Sequence, residues 1–359
     1  MLTLRPATWA DGDAILRLNE RNGVDLLSAS ERQERWSTYP FEDRFGDIPI
    51  GWVLETESGQ IVGAVDNVHL LYEIDGRPIR AAAAANWAVD TEYRADSLRL
   101  MTTFFRQKEV DLCLGVSASP VASKIFTAMK IARLPIPDYG SPCFWPMRRR
   151  AFARAALARR KMPAAGLLAV PAGVALLAKD IWSGSGRGRT RFKLRRMENF
   201  DPRFDGLLTK IRTGPGRLRA VRDCRVLDWR FGKQLRARRA TIVACENGGT
   251  LAGYAVLLRR EGEGAELNLY DVADLQAYGD NPEIVRDLLL GAIRLAREDG
   301  VDAVKYMTGT PDRRAVVMAL RPYTYQLPFW QQYYRAPEPD LASALEKPDA
   351  WDFSLFDTF

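Results

Sequence analysis

Apolar and polar residues follow the same pattern twice along the chain. Residues 52–65 (WVLETESGQIVGAV) form an apolar run, a polar turn and a second apolar run, which predicts a β-hairpin. Residues 242–256 (IVACENGGTLAGYAV) repeat the pattern, and the two turns lie 190 residues apart, about half of the 359-residue chain. Aligned on the turn, three positions of the first hairpin coincide with three of the second: Gly59, Ile61 and Gly63 with Gly249, Leu251 and Gly253. The repeat predicts two copies of one fold.

Each hairpin is followed by alternating strand and helix patterns. After the first hairpin the spacing predicts a strand at 83–89, a helix at 96–108, a strand at 110–116 and a helix at 121–130. After the second it predicts a strand at 265–272, a helix that begins at Pro282 with Asn281 as its cap, and a strand at 301–306. This alternation predicts an α/β (α+β) fold in which each half is a mixed twisted sheet flanked by helices.

Charge is concentrated in the middle of the chain. The net charge is +7, from 52 Lys and Arg and 45 Asp and Glu, but residues 148–239 alone hold 26 basic and 6 acidic residues. At roughly 150 residues per domain, the length suggests two domains. We therefore predict an N-terminal domain at 1–147, a basic helical linker at 148–190 and a C-terminal domain at 191–359.

The predicted linker combines arginine-rich and apolar sequence. Residues 148–161 hold basic residues and no acidic one, and the apolar stretch 164–182 follows, interrupted by Pro171 and Gly173. That stretch is at the short limit for a bilayer-spanning helix. Two interpretations stay open: residues 148–182 lie on an anionic membrane surface, or they form a pair of helices packed between the two domains.

The residue types limit the chemistry. The chain has one histidine, His69, and four scattered cysteines without C-x-x-C spacing, so we predict no metal site. Catalysis by a Ser-His-Asp or Cys-His arrangement would depend on His69, whose apolar surroundings in the sequence are typical of a partly buried strand. Few cysteines and no secretory pattern predict a cytoplasmic protein, with peripheral association at the inner membrane surface as the alternative.

Three segments of the first half resemble the GNAT acyltransferase superfamily. They are LRPATWADGDAILRLNE at 4–20, the hairpin at 52–65 and WAVDTEYR at 87–94. The resemblance is good from residue 4 to about 135 and weaker from 225 to 335, where LDWRF and the second hairpin carry it. With its closing ALEKPDAWDFSLFDTF, the whole chain is similar to bacterial tandem proteins with two such domains.

The resemblance implies a site for acetyl-CoA or another acyl-CoA. In that family the donor lies where the fourth and fifth strands separate, and amides at a helix N-terminus hold its pyrophosphate, because the helix dipole favours an anion there. The positions that match the cofactor turn are Val89, Tyr93, Arg94, Ala95, Asp96, Ser97, Leu98 and Arg99. The family's R-x-x-G-x-G spacing is replaced here by RADSLR, in which Asp96 is either a negative charge beside the pyrophosphate or a helix N-cap.

The resemblance also implies candidate acids and bases. The family base is a glutamate or a water near the fourth strand. Glu92 is the matching carboxylate in the first half, and Asp271 and Asp274 rank lower in the second. The family acid is a tyrosine in a later helix, and Phe126 stands at that position here. A phenyl ring cannot donate a proton, so the usual acid is missing from this position.

Three functions stay open. The first is an acyl-CoA-dependent N- or O-acyltransferase, acetyltransferase-like, acting on a small-molecule or saccharide acceptor such as a cell-envelope saccharide. The second is a Fem-type transferase that uses aminoacyl-tRNA, whose phosphates the arginines of 148–239 would contact. The third is a non-catalytic module that binds a membrane surface or a protein partner. The aromatic stretch 323–335 is either a platform for a sugar or acyl chain or an edge strand that closes the core of the second domain.

Overall fold

The computed structural model describes residues 2–24, 28–46, 48–136, 140–211, 216–262, 266–307, 310–327 and 331–358. The first half comprises β1 (Thr3–Pro6), α1 (Gly12–Arg21), α2 (Ala29–Ser37), β2 (Gly51–Glu55), β3 (Ile61–Ile74), β4 (Arg77–Val89), α3 (Ser97–Arg106), β5 (Leu112–Ala118), α4 (Pro120–Ala128), β6 (Ala132–Arg133) and β7 (Cys143–Pro146). Two helices follow, α5 (Arg149–Arg159) and α6 (Ala165–Ser183).

The second half repeats this order of elements. It comprises β8 (Lys193–Met197), α7 (Arg203–Ile211), β9 (Leu218–Ala220), α8 (Cys224–Arg236), β10 (Ala240–Asn247), β11 (Thr250–Arg260), β12 (Leu269–Ala277), α9 (Pro282–Glu298), β13 (Ala303–Tyr306), α10 (Pro311–Ala319), β14 (Tyr323–Thr324), β15 (Gln331–Arg335), α11 (Pro339–Ala344) and β16 (Trp351–Asp352). Short 3-10 helices at Thr91–Asp96 and Tyr278–Asp280 precede α3 and α9.

The strands form two sheets of matching order. The main path of the first sheet is β1-β2-β3-β4-β5-β15-β6, and that of the second is β8-β10-β11-β12-β13-β7-β14. The first sheet also includes β9, which pairs with β3, and β16, which pairs with β9. In each sheet all the pairs along the main path are antiparallel except one, which is β4 with β5 in the first and β12 with β13 in the second. The predicted fold class, mixed twisted sheets flanked by helices, is confirmed.

The halves exchange strands: the second half contributes β9, β15 and β16 to the first sheet, and the first half contributes β7 to the second. Strand β15 comes from the end of the chain but lies between β5 and β6, where Tyr334 pairs with Leu114. Strand β7 comes from the first half but pairs with β13 in the second sheet, where Trp145 faces Val304. The aromatic stretch therefore supplies two strands: its start, β14, is an edge strand of the second sheet, as predicted, and its end, β15, is an interior strand of the first sheet. The domain division at 147 and 191 stays a prediction. Each of the two sheets includes strands from both sides of it.

The repeated glycines have the same role in both halves. A Cβ at Gly63 would lie 3.2 Å from Leu100 of α3, and a Cβ at Gly253 would lie 2.6 Å from Ile284 of α9. Each glycine thus lets the helix after the hairpin approach the sheet closely. The predicted cap of α9 is also present, because the Asn281 side chain accepts hydrogen bonds from the amides of Glu283 and Ile284.

Helices α5 and α6 form a hairpin fixed to the second sheet. The ring of Phe152 contacts those of Phe144 in β7 and Tyr323 in β14, with centroids 5.9 Å apart in both pairs. Asp180 of α6 accepts hydrogen bonds from Arg149 at 2.7 Å and from the Tyr323 hydroxyl at 2.9 Å. Among the described residues, α6 is the one helix whose length and composition would allow it to cross a membrane.

Candidate functional site

Strands β4 and β5 separate beyond Ala84 and Gly115, the last pair of their parallel ladder. We call the space beyond this pair the first opening. A β-bulge lies in β4 at the same point: Ala85 pairs with Asp66 and Ala88 with Ala64, so that two residues of β4, Asn86 and Trp87, face one residue of β3. Asn86 has a φ of 51°, in the left-handed region that only a few residue types adopt readily. Bulges re-aim side chains and interrupt the ladder, and they are frequent next to active sites.

A buried carboxylate lies behind this bulge. Asp66 of β3 accepts a hydrogen bond from the Asn86 side-chain amide at 2.7 Å and forms an ion pair with Arg32 of α2 at 3.3 Å. Both members of the ion pair are about 5% exposed. Burial raises the pKa of Asp66, and Arg32 and Asn86 only partly offset this effect. The result is a carboxylate of raised pKa, held at the point where β4 leaves β5.

Aromatic rings from both halves meet beside the first opening. Trp87, which is partly exposed, stacks on Phe126 of α4 with ring centroids 5.9 Å apart. Phe126 in turn contacts Tyr333 of the exchanged strand β15 at 5.1 Å. The Tyr333 hydroxyl donates a hydrogen bond to the Gln331 side chain at 2.8 Å. A phenol therefore lies next to the position where the resemblance implies one, but it belongs to the other half of the chain.

The predicted cofactor turn forms a 3-10 helix that runs directly into α3. Val89 is buried at the end of β4, opposite Gly63. Tyr93 packs on the core of the first sheet. The remaining side chains of the 3-10 helix that were singled out from the sequence lie at the surface: Glu92, Arg94 and Ala95 are exposed, and Asp96 is partly exposed.

The N-terminus of α3 is not an open site for an anion, because groups of the chain itself already make hydrogen bonds and an ion pair there. The amide of buried Ser97 donates its hydrogen bond to the carbonyl of Arg94. Asp96 does not cap the helix with its side chain and instead pairs with Arg99 at 2.8 Å. Leu98 is 49% exposed. Two arginine side chains, Arg94 and Arg99, thus supply positive charge at this surface, in place of the glycine-rich backbone of the family turn.

The second half has the same bulge in buried surroundings. The ladder between β12 and β13 ends at Val272 and Tyr306, and we call the space beyond it the second opening. Ala273 is the extra residue of the bulge in β12. Asp274, next to it, is fully buried, accepts a hydrogen bond from Tyr254 at 2.8 Å and pairs with Arg222 at 3.1 Å.

Charged side chains of the same chain lie at the second opening. Arg313, at the start of α10, pairs with Asp280 at 2.8 Å and with Asp352 at 2.7 Å, and its guanidinium lies 3.4 Å from Gln276. Burial alone would raise the pKa of Asp352, but Arg313 and the neighbouring arginines outweigh this and hold it well below its usual range. This ion network lies next to Gln276, near the end of β12.

The C-terminal segment completes this network. Asp357 is fully buried, accepts a hydrogen bond from Tyr72 of β3 at 2.7 Å and lies 3.5 Å from Arg222. Burial raises the pKa of Asp357 to about 6, although Arg222 acts in the opposite direction. The predicted candidate Asp271 is also fully buried and pairs with Lys305 at 2.9 Å. Asp271 and Asp274 therefore both lie within ion pairs.

Two concave regions lie between the halves, away from the first opening. One, of about 500 Å³ including open solvent, is lined by Tyr254, Arg222 and Phe204 among others. The other, of about 1060 Å³ including open solvent, is lined by Phe41, Tyr72 and others. Both include Glu73 of β3, seven residues beyond Asp66, which corresponds to about 20 Å along a strand.

His69 and the cysteines have structural surroundings. His69 is a buried residue of β3, stacks on Phe45 at 4.7 Å and has Nδ1 3.3 Å from Glu42, so the predicted strand histidine is confirmed. None of the four cysteines takes part in a disulfide bond. Over the described ranges no three His, Cys, Asp or Glu side chains are grouped so that they could hold a metal ion.

Sequence reasoning missed Asp66 and Asn86. The signal was available for Asp66, because an acidic residue in the middle of the apolar run of β3 is expected to be buried and therefore to need a partner. Asn86 interrupts the alanine run of β4. Their contact, however, depends on a bulge and on a left-handed backbone that the sequence does not reveal.

Comparison with known proteins shows a shared fold. No protein-family model and no curated protein matches the chain. Similar solved structures include a GCN5-related N-acetyltransferase from Anabaena variabilis, at TM-score 0.57 and 12% identity, covering 94% of this chain and 73% of that one. A GCN5-related N-acetyltransferase from Kribbella flavida matches at TM-score 0.53 and 15% identity, covering 92% and 70%.

A third similar structure is that of Saccharomyces cerevisiae N-myristoyltransferase with bound myristoyl-CoA and inhibitors. It matches at TM-score 0.55 and 11% identity, covering 93% of this chain and 80% of that one. At these identities the likeness establishes the fold alone. The sheets described above therefore have the fold of the GNAT N-acetyltransferases, and the likeness extends over both halves of the chain.

Proposed function

We propose that the protein is an acyl-CoA-dependent N- or O-acyltransferase whose donor binds in the first opening. The observation that carries this proposal is the β4 bulge at Asn86 and Trp87, beside strands that separate and in front of the buried carboxylate of Asp66. The similar structures support it, because they include N-acetyltransferases and a myristoyltransferase with bound myristoyl-CoA.

The proposed chemistry uses groups at the bulge. A backbone amide turned out of the ladder polarises the thioester carbonyl, where negative charge develops during attack. Asp66, whose pKa burial raises, accepts the proton of the attacking amine or hydroxyl, while Arg32 and Asn86 position it. The C–S bond breaks as the new bond to the acyl carbon forms. Tyr333 is the candidate acid that protonates the departing thiolate.

The donor's pyrophosphate is proposed to contact side chains at the start of α3. Arg94 and Arg99 are exposed there, and the glycines that would open the backbone are missing. Arg99 would exchange its pairing with Asp96 for pairing with phosphate, which is a stronger anion. The acceptor is proposed to be a small molecule or a saccharide, and a cytoplasmic location is part of the same proposal.

The altered turn favours one second candidate, transfer from aminoacyl-tRNA. Such a donor does not need a pyrophosphate site, and the turn here is a 3-10 helix, Thr91–Asp96, without glycine. The basic stretch 148–239 would then contact RNA phosphates. This candidate predicts tRNA binding that weakens steeply with salt and no binding of acyl-CoA.

Amide hydrogen exchange with and without acetyl-CoA and longer acyl-CoAs tests the proposal on the full chain. We expect protection of peptides that cover 85–100 and no change in the equivalent peptides at 272–285. A thermal-unfolding titration provides the matching affinity, since a ligand at about 100 times its Kd adds ~2.7 kcal/mol of stability. Protection confined to 272–285, or no response to any acyl-CoA, would overturn the assignment of the donor to the first opening.

Turnover of variants tests the role of Asp66. We expect Asp66→Asn to lower kcat by about 100-fold or more, as removal of a general base does, and the exposed Glu92→Gln to leave it nearly unchanged. In the unmodified enzyme the rate should fall as the pH drops through the raised pKa of Asp66. Equal activity of Asp66→Asn and Glu92→Gln, with both variants folded by circular dichroism, would exclude Asp66 as the base.

A further inference from the structure

Helix α6 exposes an apolar face along its whole length. The exposed apolar side chains are Leu167, Leu168, Val170, Val174, Leu177, Ile181 and Trp182. Leu167 is 79% exposed, Val174 63% and Trp182 89%. Leu167, Val174 and Ile181 recur every seven residues and therefore follow one line, about 21 Å long, along the helix. Contiguous exposed apolar surface of this kind marks an interaction site.

The opposite face of α6 is already used. Ala169, Gly173 and Asp180 are buried along it. A Cβ at Gly173 would lie 3.2 Å from the Cα of Arg150, so α5 and α6 are in close contact there. The contact of Asp180 with Arg149 joins α6 to α5, and its contact with Tyr323 of β14 fixes the hairpin to the second sheet. The apolar face is therefore presented on a fixed support and points away from the body of the protein.

The hairpin also carries the excess charge of the molecule. Residues 148–183 hold eight basic residues and one acidic residue, a net charge of +7 that equals the charge of the whole chain. The other residues together hold 44 basic and 44 acidic side chains. The acidic residue is Asp180, which is buried and paired with Arg149. Three of the eight basic residues are adjacent and exposed at the end of α5 and in the turn that follows it: Arg159, Arg160 and Lys161.

We propose that the α5–α6 hairpin docks on an anionic membrane surface, with the exposed face of α6 in the headgroup boundary and the α5 cations among the lipid phosphates. An apolar helix face flanked by arginines is the composition that binds such interfaces. Trp182, at one end of the face, is suited to the interfacial layer. The helix lies on the surface instead of spanning the bilayer, because its other face is held against the arginine-rich α5 and contains Asp180.

Flotation of the full chain with vesicles tests this surface. We expect the protein to float with phosphatidylcholine vesicles that contain phosphatidylglycerol, and to bind them about tenfold more tightly than pure phosphatidylcholine. Added salt should weaken the binding. Brominated lipids should quench tryptophan fluorescence in the unmodified protein and do so less in Trp182→Phe, which locates the helix in the boundary.

Two matched pairs of variants separate the apolar and the charged contributions. The triple change Leu167→Gln, Val174→Gln, Ile181→Gln should abolish flotation, whereas Val121→Gln, at a 69% exposed position in α4, should not affect it. The triple change Arg159→Gln, Arg160→Gln, Lys161→Gln should remove the preference for anionic lipid. The exposed triple Arg236→Gln, Arg238→Gln, Arg239→Gln changes the net charge equally and should preserve it.

Three results would overturn the proposal. The first is a protein that stays soluble with both vesicle types. The second is equal binding to neutral and anionic vesicles. The third is a concentration-dependent dimer, seen by analytical ultracentrifugation, that the apolar triple variant dissociates while vesicle binding is absent, because the face would then cover a second copy of the chain. Because the assay requires neither donor nor acceptor, its result is independent of the proposed enzymatic function.

Discussion

The first and second openings have the same backbone design and different contents. In both, a parallel pair of strands separates beside a bulge. The bulge lies in β4, which precedes α3, in the first half and in β12, which precedes α9, in the second. At the first, Asn86 and Trp87 remain partly exposed. At the second, Gln276 is 2% exposed and lies next to the ion network of Arg313, Asp280 and Asp352. The comparison teaches that one backbone arrangement can hold partly exposed side chains in one half and a buried ion network in the other, depending on the residues around it.

The largest effect should come from breaking the ion network of the second opening. Arg313→Met leaves Asp352 buried without its closest cation, so we expect unfolding in urea to show a loss of about 3 to 5 kcal/mol. The control is Arg99→Met in the first half, which removes an exposed pair with Asp96 and should cost less than about 1 kcal/mol. Similar losses of stability in the two variants would show that the buried ion pairs of the second opening contribute no more to stability than an exposed ion pair does.

The second-largest effect should be a pH dependence of stability that Asp357, in the ion network of the second opening, contributes. The pKa of Asp357 is about 6 in the folded protein, above its unfolded value, so the folded state binds more protons between about pH 4 and pH 6. The contribution of Asp357 to stability is therefore largest below pH 4 and falls as the pH rises through about 6. The raised pKa corresponds to a contribution of about 2 to 3 kcal/mol to the free energy of unfolding. Asp357→Asn should remove this fall, which unfolding curves across that range measure, and an unchanged slope would contradict the assignment.

The smallest effect is expected from replacing the two equivalent glycines, Gly63 and Gly253, by alanine. A Cβ at Gly253 meets the Gln276 carbonyl at 2.8 Å as well as Ile284, whereas a Cβ at Gly63 meets the end of the flexible Leu54 side chain at 2.8 Å. Backbone yields less readily, so we expect Gly253→Ala to cost about 1 kcal/mol more than Gly63→Ala in thermal unfolding. A larger cost at Gly63 would mean that the first opening is the more tightly packed of the two.

Local patterns predicted much of the fold. The two hairpins, the equivalence of Gly63 and Gly253 and the cap at Asn281 all follow from spacing within a few turns of chain. The place of β15 could not be predicted, because its pairing with β5 joins residues far apart in sequence and no local pattern marks it. The contact between Asp66 and Asn86 was hidden for a similar reason, since it requires a bulge and a positive φ at a residue other than glycine.

The exchanged strands make the chain the covalent equivalent of a domain-swapped dimer. In such a dimer neither copy is complete without the other, and here the first sheet lacks an interior strand until β15 has been synthesised. Loss of the second half would therefore remove part of the first sheet and the Tyr333 phenol with it. The second half is therefore a structural requirement of the first sheet, independent of the chemistry at its own opening.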